Sequence, residues 1–189
     1  MTNSDDLSVV LTTSEHVAAA LEIFGRRPKR TSGAHFTTMG NRTGELLAVN
    51  MVLAICKPEY VPVLWRSVLV LTDARFNCNT IKATTHVVAH LVVVNGAVVR
   101  WIGMNAGGNV VGSGNCSSAT IGRALRLILL IVGGGIPTKF DKSTLDTHST
   151  APRTKRLTRG RRIASNIDVQ HPAVIDAEAP QSVSKVHFG

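Results

Sequence analysis

The chain has 189 residues, with 21 Lys and Arg against 12 Asp and Glu, a net charge of +9 and 44% hydrophobic residues. That is one domain, or one domain with tails, and enough apolar material for a core rules out disorder throughout. Aromatics are only 4%, so the core must be built from Val, Ala, Leu and Ile.

The charge points to an anionic partner: nucleic acid, acidic lipid, or a small phosphate or carboxylate ligand. It is unevenly spread. Residues 1–137 hold 12 basic and 7 acidic side chains, and residues 138–189 hold 9 and 5. Much of the charge therefore belongs to the last quarter of the chain.

Residues 1–11 read as a flexible lead-in without the basic region and apolar stretch of a signal peptide. A globular domain is expected over 12–137. Thr12 stands three before Glu15, a capping-box spacing. Val17, Ala20, Leu21 and Phe24 follow at helical spacing, and Gly25 supplies a stop. Arg26-Arg27-Pro28-Lys29-Arg30 then opens a loop that runs to about Gly40.

Thr43 predicts the start of a second helix. Leu46, Leu47, Asn50, Met51, Leu53 and Ala54 cover most of its faces, which predicts burial. Lys57-Pro58 ends it, and Pro58 suits the first turn of a third helix. Tyr60, Val61, Leu64, Trp65, Val68 and Leu71 give that helix its apolar positions, with Asp73 near its end.

From Thr80 the pattern changes. Leu91-Val92-Val93-Val94 reads as a buried strand, and Asn95-Gly96 as the turn that ends it. Ala97–Ile102 fits a short helix or a return strand equally. A glycine-rich loop follows, from Gly103 to Gly114. Ser117 or Ser118 then caps a strong helix over 119–132, which Gly133-Gly134-Gly135 and Pro137 terminate. Arg126 interrupts its apolar run, so no stretch reaches the roughly 20 residues of a membrane span. The expected class is α/β or α+β: N-terminal helices, a small sheet, and a glycine-rich loop feeding a long helix. Residues 138–189 are expected to be a disordered basic tail.

The glycine loop is where ligand chemistry is expected. Glycines let a ligand approach the main chain. The first N–H groups of a helix lack internal partners, and with the helix dipole they favour an anion. The expected ligand residues are Asn105, Gly107, Gly108, Gly112, Gly114, Asn115, Ser117, Ser118, Thr120 and Arg123. The loop lacks the Gly-Lys-Ser/Thr of a Walker loop and the third glycine of a dinucleotide fingerprint. Its ligand is therefore a small anion rather than a named nucleotide.

Three candidates for catalysis stand out. Cys116 precedes the long helix, where the dipole and Arg123 favour a thiolate. Cys56 sits beside Lys57 at the end of an apolar helix. His86, after two threonines at a strand start, is a candidate acid or base. His86 and His90 would lie about 13 Å apart on a strand, too far for one metal ion. Three cysteines without a C-x2-C pair exclude a disulfide framework and a structural zinc. No metal and no cofactor are expected. The basic clusters at 26–30 and 153–162 lack interleaved aromatics and any binding signature, so nucleic acid is the lesser partner.

Three stretches carry a family resemblance. They are Ala54-Ile55-Cys56-Lys57-Pro58-Glu59-Tyr60-Val61-Pro62-Val63, then Ala83-Thr84-Thr85-His86 with Val92-Val93-Val94-Asn95-Gly96, then Asn105-Ala106-Gly107-Gly108 through Gly114-Asn115 to Ala119-Thr120-Ile121-Gly122-Arg123-Ala124-Leu125-Arg126-Leu127. Together, over about residues 44–136, they resemble the C-terminal domain of bacterial proteins named for a UGSC or CGSC motif. The resemblance implies thiol- or selenol-dependent redox or transfer chemistry. Cys56 fits the family pattern, whereas Cys116 stands where an arginine is usual. This chain contains no Cys-Gly-Ser-Cys, so the resemblance implies a shortened member or a partner subunit that carries the motif.

The leading expectation is a ligand-binding domain of a thiol-linked, cytoplasmic enzyme. The alternatives are a non-enzymatic basic protein that binds nucleic acid, and an inactive truncated or frame-shifted fragment. The shift to basic low-pattern sequence after Gly135 motivates the last.

Overall fold

The computed structural model describes residues 10–25, 43–73, 76, 78–85, 90, 92–108 and 114–142, together with the strand backbones at 153–154, 173–179 and 182–188. Six helices follow in chain order: α1 (Ser14–Gly25), α2 (Thr43–Leu53), α3 (Val61–Leu71), α4 (Cys78–Ala83), α5 (Ala97–Trp101) and α6 (Cys116–Leu127). A 3-10 turn, Pro58–Tyr60, leads into α3, and a π turn, Ile128–Val132, extends α6.

The expected α/β or α+β class is overturned. Helix accounts for 64% of the described residues within 10–142, and no sheet lies within that stretch. Val92–Gly96 does run extended, with Val92 and Val94 buried. Its ladder partners, Arg153–Thr154 and Ala173–Ala179, both parallel to it, lie beyond that body. Ser182–Phe188 pairs antiparallel with Ala173–Ala179. Within residues 10–142 the β-branched run is extended but has no strand beside it.

Local chemistry explains most of the helix ends. The hydroxyl of Thr13, one residue after the expected cap, accepts from the His16 amide at 3.4 Å and lies 2.9 Å from His16 Nδ1. At the far end of α2 the Cys56 amide donates to the Met51 carbonyl and the Ile55 amide to Val52, both at 2.9 Å. This is a Schellman ending, which needs a left-handed residue at the turn. Glycine is the usual choice. Here Ile55 takes it, at φ 65°, a strained conformation for a β-branched side chain. The same ending after α5 uses Gly103, also at φ 65°, where nothing is strained.

The core lies where α2, α3 and α6 meet, with α1 against α2. Leu47, Ala48 and Met51 of α2 pack with Val61, Leu64 and Val68 of α3 and Ile121, Ala124 and Leu125 of α6. The branched and straight aliphatics expected from the low aromatic content do fill it. Tyr60 and Phe76, 3% and 2% exposed, are its buried aromatics.

The body does not stop at Pro137. The amides of Phe140 and Asp141 both donate to the Ile136 carbonyl, at 2.9 and 3.1 Å. The Lys142 amide donates to the Lys82 carbonyl at 2.8 Å. Residues 137–142 are thereby folded back onto α4 and the end of α6, where Asp141 is buried.

Candidate functional site

The glycine loop is used to build the start of α6. Asn115 is the N-cap: its Oδ1 accepts from the Ser118 amide at 2.9 Å. Its Nδ2 donates to the Gly103 carbonyl at 2.9 Å, and the Ser117 hydroxyl donates to the same carbonyl at 3.2 Å. The Thr120 hydroxyl donates back to the Cys116 carbonyl at 2.9 Å. Asn105 closes a small turn of its own, accepting from the Gly107 amide and donating to the Gly108 carbonyl, both at 2.9 Å. Gly114 takes φ 99°, which its neighbours could not.

Asn105, Asn115, Ser117 and Thr120 thus spend their polar groups on the loop itself. Ser117 and Ser118 are buried, and the Ser118 hydroxyl has no hydrogen-bond partner among the described residues. The capping role has a measurable size. Asn115→Ala is expected to lower stability by about 1 kcal/mol, the usual worth of a helix N-cap. Urea denaturation of the two proteins would show it as a lower midpoint with an unchanged slope. A loss under about 0.3 kcal/mol would mean that water caps α6 as well as Asn115 does.

Two of the three expected catalytic residues are described; His86 lies outside the described residues, as does Gly112. Cys56 and Cys116 come together at the α2–α6 contact. The Cys56 thiol donates to the Thr120 carbonyl at 3.1 Å. Burial pushes it up to about 12, with Cys116 adding to the rise and Arg123 opposing it. It is a protonated thiol in any physiological buffer, which sets it against a nucleophile's role. It also lines a small apolar cleft of about 140 Å³ with His16, Ile55 and Pro58. Cys116 is exposed.

A second cluster assembles side chains that the sequence does not draw together. Cys78 opens α4, and Lys82 lies four residues later on the same face. The Cys78 Sγ is 3.4 Å from His90 Nε2. The His90 ring stacks on Phe76, with centroids 5.7 Å apart and 24° between planes. Arg126 of α6 forms a buried ion pair with Asp141. The carbonyl side of α4 is tied to this segment through Lys142.

The electrostatics of this cluster are lopsided. Lys82 is 6% exposed, and no carboxylate pairs with it among the described residues. The His90 imidazole is lowered to about 4, chiefly by burial and then by the Lys82 ammonium, with Arg126 in the same direction and Asp141 opposing. His90 is therefore neutral at pH 7. With its proton on Nδ1, its Nε2 accepts from the Cys78 thiol.

The missed signals were partly present. Cys78-x3-Lys82 is a one-face helical spacing, but six residues give too little periodicity to outweigh Thr80, Thr84 and Thr85. Arg126 was conspicuous in an apolar helix. Its partner Asp141 fell in a stretch expected to be tail.

Among the described residues no trio of His, Cys, Asp and Glu is placed to hold a metal, and no helix is long and apolar enough to cross a membrane. The side chains of both basic clusters lie outside the described residues. No family model, curated protein or solved structure matches this chain.

Proposed function

We propose that the chain is a thiol-dependent enzyme domain in which Cys78 is the nucleophile and His90 takes its proton. The observation that carries this is the 3.4 Å approach of Cys78 Sγ to His90 Nε2. Thiol and base within hydrogen-bond reach, with the base oriented by a third group, is the arrangement that activates a cysteine. Here the stacked Phe76 ring orients the imidazole. The reading keeps the thiol-linked transfer chemistry that the family resemblance implies and moves it to a different thiol. Cys56 is a poor nucleophile because burial keeps its thiol protonated, and Cys116 has no base in hydrogen-bond reach among the described residues.

The chemistry is a transfer. The Cys78 proton passes to His90, the sulfur attacks an electrophilic carbon, and a leaving group departs with the bonding pair. His90 then returns the proton to the leaving group.

Alkylation of the folded chain by iodoacetamide at pH 7, followed by peptide mass mapping, tests the assignment. Cys78 should react at least about 10-fold faster in the native protein than in His90→Gln, the lower range for a positioned acid or base being about 100-fold. Cys116 should react at equal rates in both, and Cys56 should be the slowest of the three. Circular dichroism would verify that the variant folds, and His90→Asn serves as a second replacement. If Cys78 alkylates at the same rate with and without the imidazole, the dyad is not functional.

A further inference from the structure

A cleft opens between the start of α1 and the end of α2. Val10, His16 and Ala20 form one side, and Val52, Ile55 and Pro58 the other, around about 140 Å³. An enclosed apolar cavity of about 150 Å³ takes up benzene, so the space suits a single ring. The walls are aliphatic but for two groups. The Cys56 thiol is already engaged, donating to the Thr120 carbonyl at 3.1 Å. His16 Nδ1 lies 2.9 Å from the Thr13 hydroxyl, which steadies the ring. That leaves His16 Nε2 as the open hydrogen-bonding side-chain group of the lining among the described residues.

Ile55 gives a second, independent reason to read the cleft as a site. It takes φ 65° where a Schellman ending ordinarily uses glycine. A β-branched side chain is strained there, and glycine would relieve the strain. Core packing does not account for the choice, because Ile55 is 52% exposed. Its side chain walls the cleft instead. Backbone outliers held by their surroundings concentrate at ligand sites. The hydrogen bonds from the Ile55 and Cys56 amides back into α2 hold this one.

We propose that this cleft binds a small aromatic molecule of about seven heavy atoms carrying one oxygen, with Ile55 against the ring and His16 Nε2 hydrogen-bonded to the oxygen. None of its lining residues belongs to the Cys78 cluster. The site is therefore separate from the thiol chemistry and stands or falls without it.

Phenol and toluene make the test direct, since they match in size and only phenol carries an oxygen. Nuclear magnetic resonance of the full chain, titrated with each, should show saturable shifts at the methyls of Val10, Ala20, Val52 and Ile55. Phenol should bind about 5-fold more tightly than toluene, the factor of one neutral hydrogen bond. His16→Leu should remove that difference. Ile55→Gly should raise the urea midpoint by about 0.5 M while weakening both compounds about 10-fold, because the left-handed strain and one wall of the cleft go together. A gain in stability joined to a loss of binding marks a side chain kept for a ligand.

Shifts that do not saturate, or that fall away from those methyls, would overturn the site. Equal affinity for phenol and toluene, or a preference that survives His16→Leu, would overturn the oxygen-bearing ligand. An Ile55→Gly variant less stable than the parent, or one that binds phenol as tightly, would overturn the role of Ile55. Should the glycine variant fail to fold, Ile55→Asn decides the same point, since asparagine also tolerates the left-handed region.

Discussion

Asp141→Ala is expected to destabilise the protein by about 3–5 kcal/mol, a large part of what holds a domain of this size together. The two side chains of the Arg126–Asp141 pair are 11% and 3% exposed. Attraction between them offsets the cost of taking both out of water, but neither can bear that cost alone. Removing Asp141 takes a carboxylate from the Arg126 guanidinium, which stays largely out of water. The loss therefore measures the cost of a poorly compensated buried charge as well as a missing bond. Asp141→Asn keeps an acceptor and should lose less. The double replacement Arg126→Met with Asp141→Leu should recover most of the stability, because apolar residues of similar volume replace a buried pair at little net cost. Urea denaturation of all four proteins gives the comparison. A single-variant loss under about 1 kcal/mol, the value of a solvated surface pair, would show that water reaches Arg126.

This pair also marks where the sequence was legible and where it was not. Helices α1, α2, α3 and α6 were readable because each carries more than two turns of apolar periodicity and a recognisable stop. Proline at 58 and glycines at 133–135 set boundaries that need no tertiary information. The class failed on a different scale. Val92 and Val94 are β-branched and buried, and burial together with branching reads as a sheet. Whether such a run meets strands or helices depends on residues far along the chain, which local pattern does not encode.

The cluster around Cys78 was hidden for the same reason. The glycine loop was found because its signal is contiguous: glycines, an asparagine and two serines before a helix. Its polar groups, however, turn inward to cap α6 and to close on Gly103. The Cys78, Lys82, His90, Arg126 and Asp141 cluster spans 64 positions of sequence and draws on α4, α6 and the folded-back segment after Ile136. Only the Cys78–Lys82 spacing is local. A buried arginine in an apolar helix implies an acid somewhere, but not which one. Asp141 lies in a stretch whose composition resembles a tail.

Stability should fall as pH drops from about 6.5 to about 4, and His90 should account for the fall. The ordinary imidazole value is 6.5, and in the folded protein it is lowered to about 4. Between those values the unfolded chain binds a proton at this position and the folded chain does not. Stability therefore rises with pH across the window and is lost as pH falls through it. Each pH unit is worth about 1.4 kcal/mol, so the whole window amounts to at most about 3.5 kcal/mol. The groups facing His90 set the direction. Burial beside Phe76 and Cys78 resists the charge, Lys82 from α4 and Arg126 from α6 repel it, and Asp141 alone attracts it. Denaturation at fixed pH values from 4 to 8 would show the slope in the native chain and a flatter profile in His90→Gln. The difference between the two profiles cancels the carboxylates that titrate in the same range. Direct titration of the His90 ring by nuclear magnetic resonance supplies the second reading. A midpoint near 6.5, with parallel stability profiles, would mean that the ring is solvated and that neither Lys82 nor Arg126 acts on it.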